Sequence, residues 1–174
     1  MSTEYRTNNR AKFSFFSVGA DFSLTQDDIV AKKYYREDGV MVSTYENTGK
    51  SVYSASGRIM LNTPIAKSNF SINSFTMVRY NNGYSSVMDS DSYKWVKNET
   101  TNLNISENLR ITYRNDWAEI IAGGRVNYRN TWYTVSSMED VSTWNNTITG
   151  SVNFTIPGGV NLTSNVNYTF YIGY

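Results

Sequence analysis

The sequence contains no cysteine and no histidine among its 174 residues. The first absence excludes disulfides and thiolate metal sites, and the second removes the commonest general base and metal ligand. Without histidine, the serine, aspartate and tyrosine side chains do not form a base constellation for catalysis. We therefore predict that the protein is not an enzyme and has no catalytic residues, no cofactor and no metal ligands.

Net charge and long apolar runs are also nearly absent. The 16 basic and 15 acidic residues leave a formal net charge of +1, which is too weak a field to indicate a nucleic-acid partner. No stretch approaches the roughly 20 apolar residues that a spanning helix needs. The opening residues MSTEYRTNNR lack the apolar segment of a secretory signal, so we expect any signal peptide to lie outside this sequence.

Strict alternation of apolar and polar residues is the main pattern that the sequence does contain. It recurs in five stretches: 12–24, 69–80, 101–113, 117–133 and 150–172. A period of two residues predicts β-strands, and no helical period competes with it. The sequence therefore predicts an all-β protein, an antiparallel up-and-down meander of about seven or eight long strands. We expect one domain over 1–174, with 1–11 as a poorly ordered lead-in.

The connections between these strands alternate between short and long. Short connections are predicted at REDG (36–39), NTPIAKS (62–68), RND (114–116) and PGG (157–159), and long ones over 81–99 and 134–145. Outer-membrane barrels have short turns at one rim and longer loops at the other. Many strands also exceed the roughly five or six residues usual in globular sheets, and roughly 9 to 11 residues is the length that a tilted strand needs to cross a bilayer. Both features favour an outer-membrane-type β-barrel, or a fragment of one.

The alternation in each strand, as in the last hairpin, does not by itself determine whether the apolar or the polar side faces water. A soluble sheet buries its apolar side, whereas a membrane barrel turns that side to lipid around a hydrated interior. Aromatic residues near strand ends resemble interfacial girdles, and they include Tyr113, Trp117, Tyr128, Trp132, Tyr133, Trp144, Tyr168, Phe170, Tyr171 and Tyr174. The candidate lipid-facing residues are therefore Val152, Phe154, Ile156, Leu162, Val166 and Phe170.

Arginines recur on the polar side of successive predicted strands. The candidate lumen-facing basic residues are Arg58, Arg79, Arg110, Arg125 and Arg129. They could attract anionic solutes or contact an acidic plug through bidentate contacts. They could equally form a solvated wall paired with carboxylates such as Glu119, and we favour this second interpretation because exposed ion pairs contribute little.

Three longer stretches resemble one family. The order VGADFSLTQDDIVAKKYYREDGVMVSTYENTGKSVYSASGRIMLNTPI, then FSINSFTMVRYNNGY, then GSVNFTIPGGVNLTSNVNYTFY resembles the barrel region of TonB-dependent-receptor-like outer membrane proteins of Bacteroidota. The resemblance covers nearly the whole chain. It implies a place in the outer membrane of a Gram-negative bacterium and nutrient uptake through a barrel of about 22 strands that holds a plug.

A chain with room for about seven or eight strands and no plug departs from that family pattern. The resemblance therefore implies a fragment, whose partners are outer-membrane lipid, the missing plug domain and the remaining barrel strands of a parent protein. Two other functions stay open. One is a soluble β-barrel or sandwich domain that binds a small apolar ligand or a protein partner. The other is a barrel fragment without independent function that forms a homo-oligomer through open sheet edges.

Overall fold

The computed structural model describes residues 1–65, 67–89, 94–156 and 158–173. Pro157 of the predicted PGG turn and Tyr174 of the predicted girdle lie outside these residues. Within them, nearly the whole chain is β-strand: β1 (Ser2–Asn9), β2 (Ser14–Thr25), β3 (Ile29–Tyr35), β4 (Met41–Asn47), β5 (Val52–Pro64), β6 (Phe70–Asp89), β7 (Lys94–Arg114), β8 (Ala118–Tyr133), β9 (Val141–Ile156) and β10 (Val160–Ile172). A 3-10 turn, Arg10–Lys12, joins β1 to β2. None of the described helical residues forms a helix long and apolar enough to cross a membrane.

Eight of the strands form one antiparallel sheet in the order β1-β2-β5-β6-β7-β8-β9-β10, and β3 pairs with β4 in a separate hairpin. The strands of the large sheet follow one another as a meander, apart from the hairpin inserted between β2 and β5. The sheet is not closed, so β1 and β10 are its two edges. The predicted all-β antiparallel meander is confirmed, and the open edges fit a fragment.

The register aligns the strands so that the apolar side of each lies on the same face of the sheet as the apolar sides of its neighbours. Ile111 of β7 lies opposite Ile72 of β6 and Ala122 of β8, and residues that lie opposite each other share a face. Followed across all pairings, this rule defines an apolar face and a polar face. The apolar face comprises the odd-numbered residues of β1, β5 and β7 and the even-numbered residues of β2, β6, β8, β9 and β10, and the polar face comprises the others.

The apolar face is uncovered. Among the described residues, the buried hydrophobic side chains are Val30, Ala118 and Val135. Large side chains of the apolar face remain exposed, for example Leu162 at 58% and Val166 at 67%. A soluble sheet of this size would bury such a face against a second layer, and the described residues supply no second layer.

The predicted long loop over 81–99 is wrong. Strand β6 continues to Asp89 and β7 begins at Lys94, and the two remain paired throughout, with Asn81 opposite Asn102 and Asp89 opposite Lys94. Residues 90–93 lie outside the described residues. Asparagine, glycine and serine indicate a loop by propensity, but ladder hydrogen bonds use only backbone groups, so the pairing of two adjacent strands overrides that preference.

Two other boundaries also differ from the prediction. Strand β9 begins at Val141, so the connection expected over 134–145 is shorter than predicted. The expected lead-in over 1–11 contains strand β1, which pairs with β2 along its length, and the Met1 amino group donates to the Phe22 carbonyl at 2.7 Å. The residues STEYRTNN are polar on both sides, so alternation could not reveal this strand.

The predicted REDG turn forms where the sequence places it, whereas the first three residues of the predicted NTPIAKS connection, Asn62–Pro64, continue strand β5. At REDG, the Gly39 N–H donates to the Arg36 carbonyl at 2.9 Å, and Gly39 has a φ of 79°. The ENTGK stretch (46–50) lies at the end of β4. It is a turn that leads out of the small hairpin, with Gly49 at a φ of 64° and its N–H bonded to the Asn47 side chain at 2.8 Å.

Asn115 holds the tight turn between β7 and β8. Its Oδ1 accepts from the backbone N–H groups of Trp117 at 3.1 Å and Ala118 at 2.7 Å. We expect Asn115→Ala to lower the free energy of unfolding by roughly 1 to 3 kcal/mol, because the donor at buried Ala118 loses its partner.

Urea unfolding followed by tryptophan fluorescence measures this difference. Asp116→Ala is the matched control, because the exposed Asp116 side chain makes no hydrogen bond within the described part of the chain. A similar loss in both variants would contradict the role assigned to Asn115.

Candidate functional site

The six candidate lipid-facing residues share one surface. They lie on the apolar face of the β9–β10 hairpin, where Leu162 is directly opposite Phe154. The other members of the set are Val152 and Ile156 on β9 and Val166 and Phe170 on β10. The two strands therefore present one continuous apolar ribbon.

Four aromatic pairs of the described residues occur at two levels of the apolar face, and a fifth, Tyr168 with Phe170 on β10, lies between these levels. At one level the Phe70 and Tyr113 rings lie 4.9 Å apart, and Trp117 stacks on Phe154 at 5.9 Å. At the other level Tyr53 stacks on Tyr80 at 5.9 Å, and Tyr128 contacts Trp144 at 4.5 Å.

These two aromatic levels have a fixed separation. Tyr80 follows Phe70 by ten residues on β6, and Phe154 follows Trp144 by ten on β9. At about 3.3 Å per residue, ten residues span about 33 Å along a strand. A strand tilted by about 45° would then separate the levels by about 23 Å.

The five candidate lumen-facing arginines all lie on the polar face. Arg58 is on β5, Arg79 on β6, Arg110 on β7, and Arg125 and Arg129 on β8. The register places Asn104 directly between Arg79 and Arg129, and the Arg129 Nε donates to its Oδ1 at 3.0 Å. The structure therefore brings the set onto one surface but not into a single cluster.

Arg58 is the member of this set with carboxylate partners. Its guanidinium contacts Asp21 at 2.7 Å and Glu4 at 3.5 Å, and Glu4 also pairs with Arg6 at 2.7 Å. Gly19 lies beneath it, since a Cβ there would lie 3.0 Å from the Arg58 Nε. The network ties β1, β2 and β5 together, but its members are partly exposed, so its contribution to stability is small.

Glu119 does not pair with any of the five arginines. Its carboxylate contacts Arg114 at 2.8 Å, at the end of β7. Within the described residues, Arg79, Arg110 and Arg125 form no ion pair. The polar face therefore carries positive charge that the described carboxylates leave uncompensated. Arg110 also lines a shallow groove of about 510 Å³ that ends at the Arg114–Glu119 pair.

The two rims of the sheet differ in structure. One rim, here called the short rim, has the β1–β2, β5–β6, β7–β8 and β9–β10 turns. The other, the folded rim, carries the β3–β4 hairpin, the β8–β9 connection and the projecting end of β6 and β7. Pairing between β5 and β6 ends at Asn81, whereas β6 and β7 stay paired as far as Asp89 and Lys94.

The β3–β4 hairpin packs beside the projecting end of β6 and β7. Val30 of β3 is buried. The Lys97 Nζ of β7 lies 3.7 Å from the Glu46 carboxylate and donates to the Thr48 carbonyl at 3.5 Å. Lys32 contacts the same carboxylate at 3.2 Å. These contacts give the hairpin a fixed place on the folded rim.

Asn98 holds the β8–β9 connection against β7 and is only 1% exposed. Its Oδ1 accepts from the N–H groups of Thr134 at 3.1 Å and Val135 at 3.3 Å, and its Nδ2 donates to Thr100 at 2.9 Å. Sequence reasoning missed this residue, because one asparagine among many carries no signal of burial.

A second polar cluster lies at the base of the projecting hairpin. The Asn82 Oδ1 accepts from the Tyr53 N–H at 2.8 Å, and its Nδ2 donates to Glu99 at 2.8 Å. Burial, together with the nearby Glu99 carboxylate, raises the pKa of the Tyr84 hydroxyl. A tyrosine hydroxyl is protonated at neutral pH in any case, and the raised pKa extends its protonated range to more alkaline pH.

Glu107 interrupts the apolar face. It lies between Ile105 and Leu109 on β7 and accepts hydrogen bonds from Ser74, at 2.8 Å, and from Thr76. The two hydroxyls on β6 thus satisfy a carboxylate that would otherwise stand among aliphatic side chains. The register supplies the partners of Glu107, because it places Thr76 of β6 directly opposite it.

No protein-family model matches this chain, and no curated protein or solved structure matches it either. Its function is therefore inferred from its own geometry.

Removing the Asn98 side chain tests how the folded rim is held. We expect Asn98→Ala to release the β8–β9 connection, because the Val135 N–H loses its acceptor and the Asn98 amide no longer links β7 to the connection. Cleavage at Glu139 by a glutamate-specific protease should accelerate roughly tenfold, which corresponds to about 1.4 kcal/mol of local opening.

Asn108→Ala is the control for this experiment. Asn108 lies on the same strand, and its side chain makes no hydrogen bond within the described residues. Unchanged cleavage of the Asn98 variant would show that other contacts hold the connection.

Proposed function

We propose that this chain forms part of the wall of an outer-membrane β-barrel transporter or receptor for nutrient uptake. The observation that carries the proposal is the pair of aromatic levels on an uncovered apolar face. Their separation of about 23 Å is close to the apolar band of about 25 Å, flanked by aromatic girdles, that outer-membrane barrels present to lipid. In this proposal the apolar face, with Val152, Leu162 and Val166, contacts lipid.

Strand length supports the same proposal. Apart from β1, the strands of the large sheet have between 12 and 21 residues. Soluble sheets usually have strands of about five or six residues, whereas about 9 to 11 suffice to cross a bilayer. The strands are therefore long enough to cross and to extend beyond the membrane on one side.

The polar face would then line the hydrated interior. Its uncompensated arginines, Arg79, Arg110 and Arg125, would attract anionic solutes or an acidic surface of a plug domain. The folded rim, with its hairpin and projecting strands, would face outward and contribute to substrate capture, while the short rim would face the periplasm. Further strands of a parent barrel and its plug domain are the partners that this arrangement requires.

Cysteine labelling tests which face meets lipid. The chain has no cysteine of its own, so single substitutions report on one position each. Ser151 and Val152 are neighbours on β9 that lie on opposite faces. We expect Val152→Cys to be protected from a water-soluble maleimide in phospholipid vesicles, and Ser151→Cys to react.

Both variants should react when the protein is unfolded in urea, which controls for intrinsic reactivity. Equal labelling of the two positions in vesicles, or protection of position 151 alone, would overturn the membrane proposal. The result does not depend on knowing the substrate.

Glu107 gives a second test. It lies seven residues before the end of β7 at Arg114, so a strand tilted by about 45° would place it about 16 Å from the short rim, near the centre of a hydrocarbon layer of about 30 Å. We expect Glu107→Gln to raise the free energy of unfolding in vesicles by roughly 1 kcal/mol, because an acidic side chain facing lipid is destabilising.

Glu119→Gln is the matched control, because Glu119 lies on the polar face and pairs with Arg114. It should give no gain in the same urea titration. Equal effects at both positions would contradict the assignment of the faces.

The alternative is a soluble domain that binds a small apolar ligand. A groove of about 560 Å³ on the apolar face favours it, lined by Ala20, Phe22, Ala55, Val78 and Tyr80 among others. Size-exclusion chromatography with and without detergent separates the two functions. A chain that stays monodisperse without detergent or lipid supports the soluble domain.

A further inference from the structure

The outer edge of β10 is unprotected. Within the described residues no strand pairs with it, and all its residues except Phe170 are exposed. The thirteen residues VNLTSNVNYTFYI include no charge and no proline, the two features by which natural edge strands discourage further pairing. The opposite edge, β1, is shorter and carries Glu4 and Arg6.

Backbone geometry shows which groups of β10 are free to pair. The Thr155 N–H of β9 donates to the Trp117 carbonyl, at 2.8 Å, on the β8 side. Because backbone groups alternate in direction along a strand, the even-numbered residues of β9 bond to β10. The unbroken register then leaves the odd-numbered residues of β10, from Asn161 to Tyr171, with N–H and C=O groups directed to the open edge.

Val166 is the centre of an approximate palindrome of polarity in β10, in which most residues at equal distances on its two sides are alike in polarity. The residues at equal distances from it are Asn165 with Asn167, Ser164 with Tyr168, Thr163 with Thr169, Leu162 with Phe170, Asn161 with Tyr171, and Val160 with Ile172. Two of these pairs combine polar residues of one face, two combine apolar residues of the other, and the remaining two combine a polar residue with a tyrosine. Cross-strand pairs of like polarity stabilise a sheet.

We propose that β10 of one copy pairs antiparallel with β10 of a second copy, centred on Val166. In this register Asn165 lies opposite Asn167 of the second copy as a hydrogen-bonded pair, and the two Val166 residues form a non-hydrogen-bonded pair. The apolar face continues unbroken across the seam. A second copy's β1 fits less well, because its apolar-face residues Thr3, Thr7 and Asn9 are polar.

This pairing does not rest on the proposed membrane function, since it needs only the open edge. A twofold axis perpendicular to the sheet relates the copies and places the short rim of one beside the folded rim of the other. Copies inserted in a membrane from the same side cannot adopt this arrangement. The paired form therefore belongs to chains outside a membrane, and detergent micelles, which do not fix orientation, are the medium for the test.

Disulfide formation tests the centre of the register. Non-hydrogen-bonded partners have Cα atoms about 4.5 Å apart, within the range of a disulfide. We expect mild oxidation of full-length Val166→Cys to give at least about tenfold more covalent dimer than Ile148→Cys. Ile148 is a matched control because it lies on the same face of β9, away from the edge, and is 58% exposed.

Mixed variants test the register itself. Leu162→Cys mixed with Phe170→Cys should form the disulfide heterodimer, whereas neither alone should cross-link, because two Leu162 positions would lie about 26 Å apart along the seam. Cross-linking of either variant alone would overturn the register. So would a Val166→Cys dimer yield no greater than that of Ile148→Cys.

Charge pairs separate edge pairing from contact between apolar faces. Asn165→Lys with Asn167→Lys places like charges opposite each other and should weaken self-association at least about tenfold. Asn165→Glu with Asn167→Lys places opposite charges there and should restore it. Analytical ultracentrifugation in detergent measures both.

Three further outcomes would overturn the proposal. One is an unmodified chain that is monomeric in detergent at all concentrations. The second is self-association that is equal in the two charge variants, which would indicate contact through the apolar face. The third is a Val166→Cys chain that cross-links to Tyr5→Cys but not to itself, which would indicate head-to-tail pairing of β10 with β1. None of these results bears on the cysteine labelling in vesicles, so the two proposals fail separately.

Discussion

The constraint on which the structure depends is an unshifted register between neighbouring strands. Every pairing in the large sheet joins residues one to one over its full length, so the two-residue period of each strand adds up to one apolar and one polar surface. A slip of one residue in any pair would move all later apolar side chains to the other face. The aromatic levels, the arginines of the polar face and the partners of Glu107 all follow from this register.

The same register explains why the molecule has so little interior. The β3–β4 hairpin lies at the rim, so the described residues place no layer against the large sheet. Its stability must therefore come from backbone hydrogen bonds between strands and from pairs of neighbouring side chains. Polar side chains are buried at the folded rim, and there they are satisfied by hydrogen bonds, as at Asn98 and Asn82. Elsewhere, an exposed apolar surface of this extent indicates an environment or partner that covers it.

Residue propensity predicts a loop over 81–99, but the described residues of this segment are paired β-strand. Asn81, Asn82 and Gly83 indicate a loop by residue type, yet they continue the β6 ladder opposite Asn102, Thr101 and Thr100. As a consequence, the segment expected to be a long loop forms projecting strands against which β3–β4 packs. The rim is therefore a folded surface, and its key residues are amides that no sequence motif distinguishes from their neighbours.

Alternation by itself determined the all-β class, the order of the long strands and the sides on which Val152, Leu162, Arg79 and Arg125 lie, because a period of two is a local property of the chain. Only the tertiary structure decided that β2 lies beside β5 with β3–β4 set apart, and how far β6 and β7 extend. It also decided that Arg58 pairs with Asp21 while Glu119 pairs with Arg114, and that the sheet ends in two open edges. These features depend on backbone partners distant in sequence, and a single strand carries no record of them.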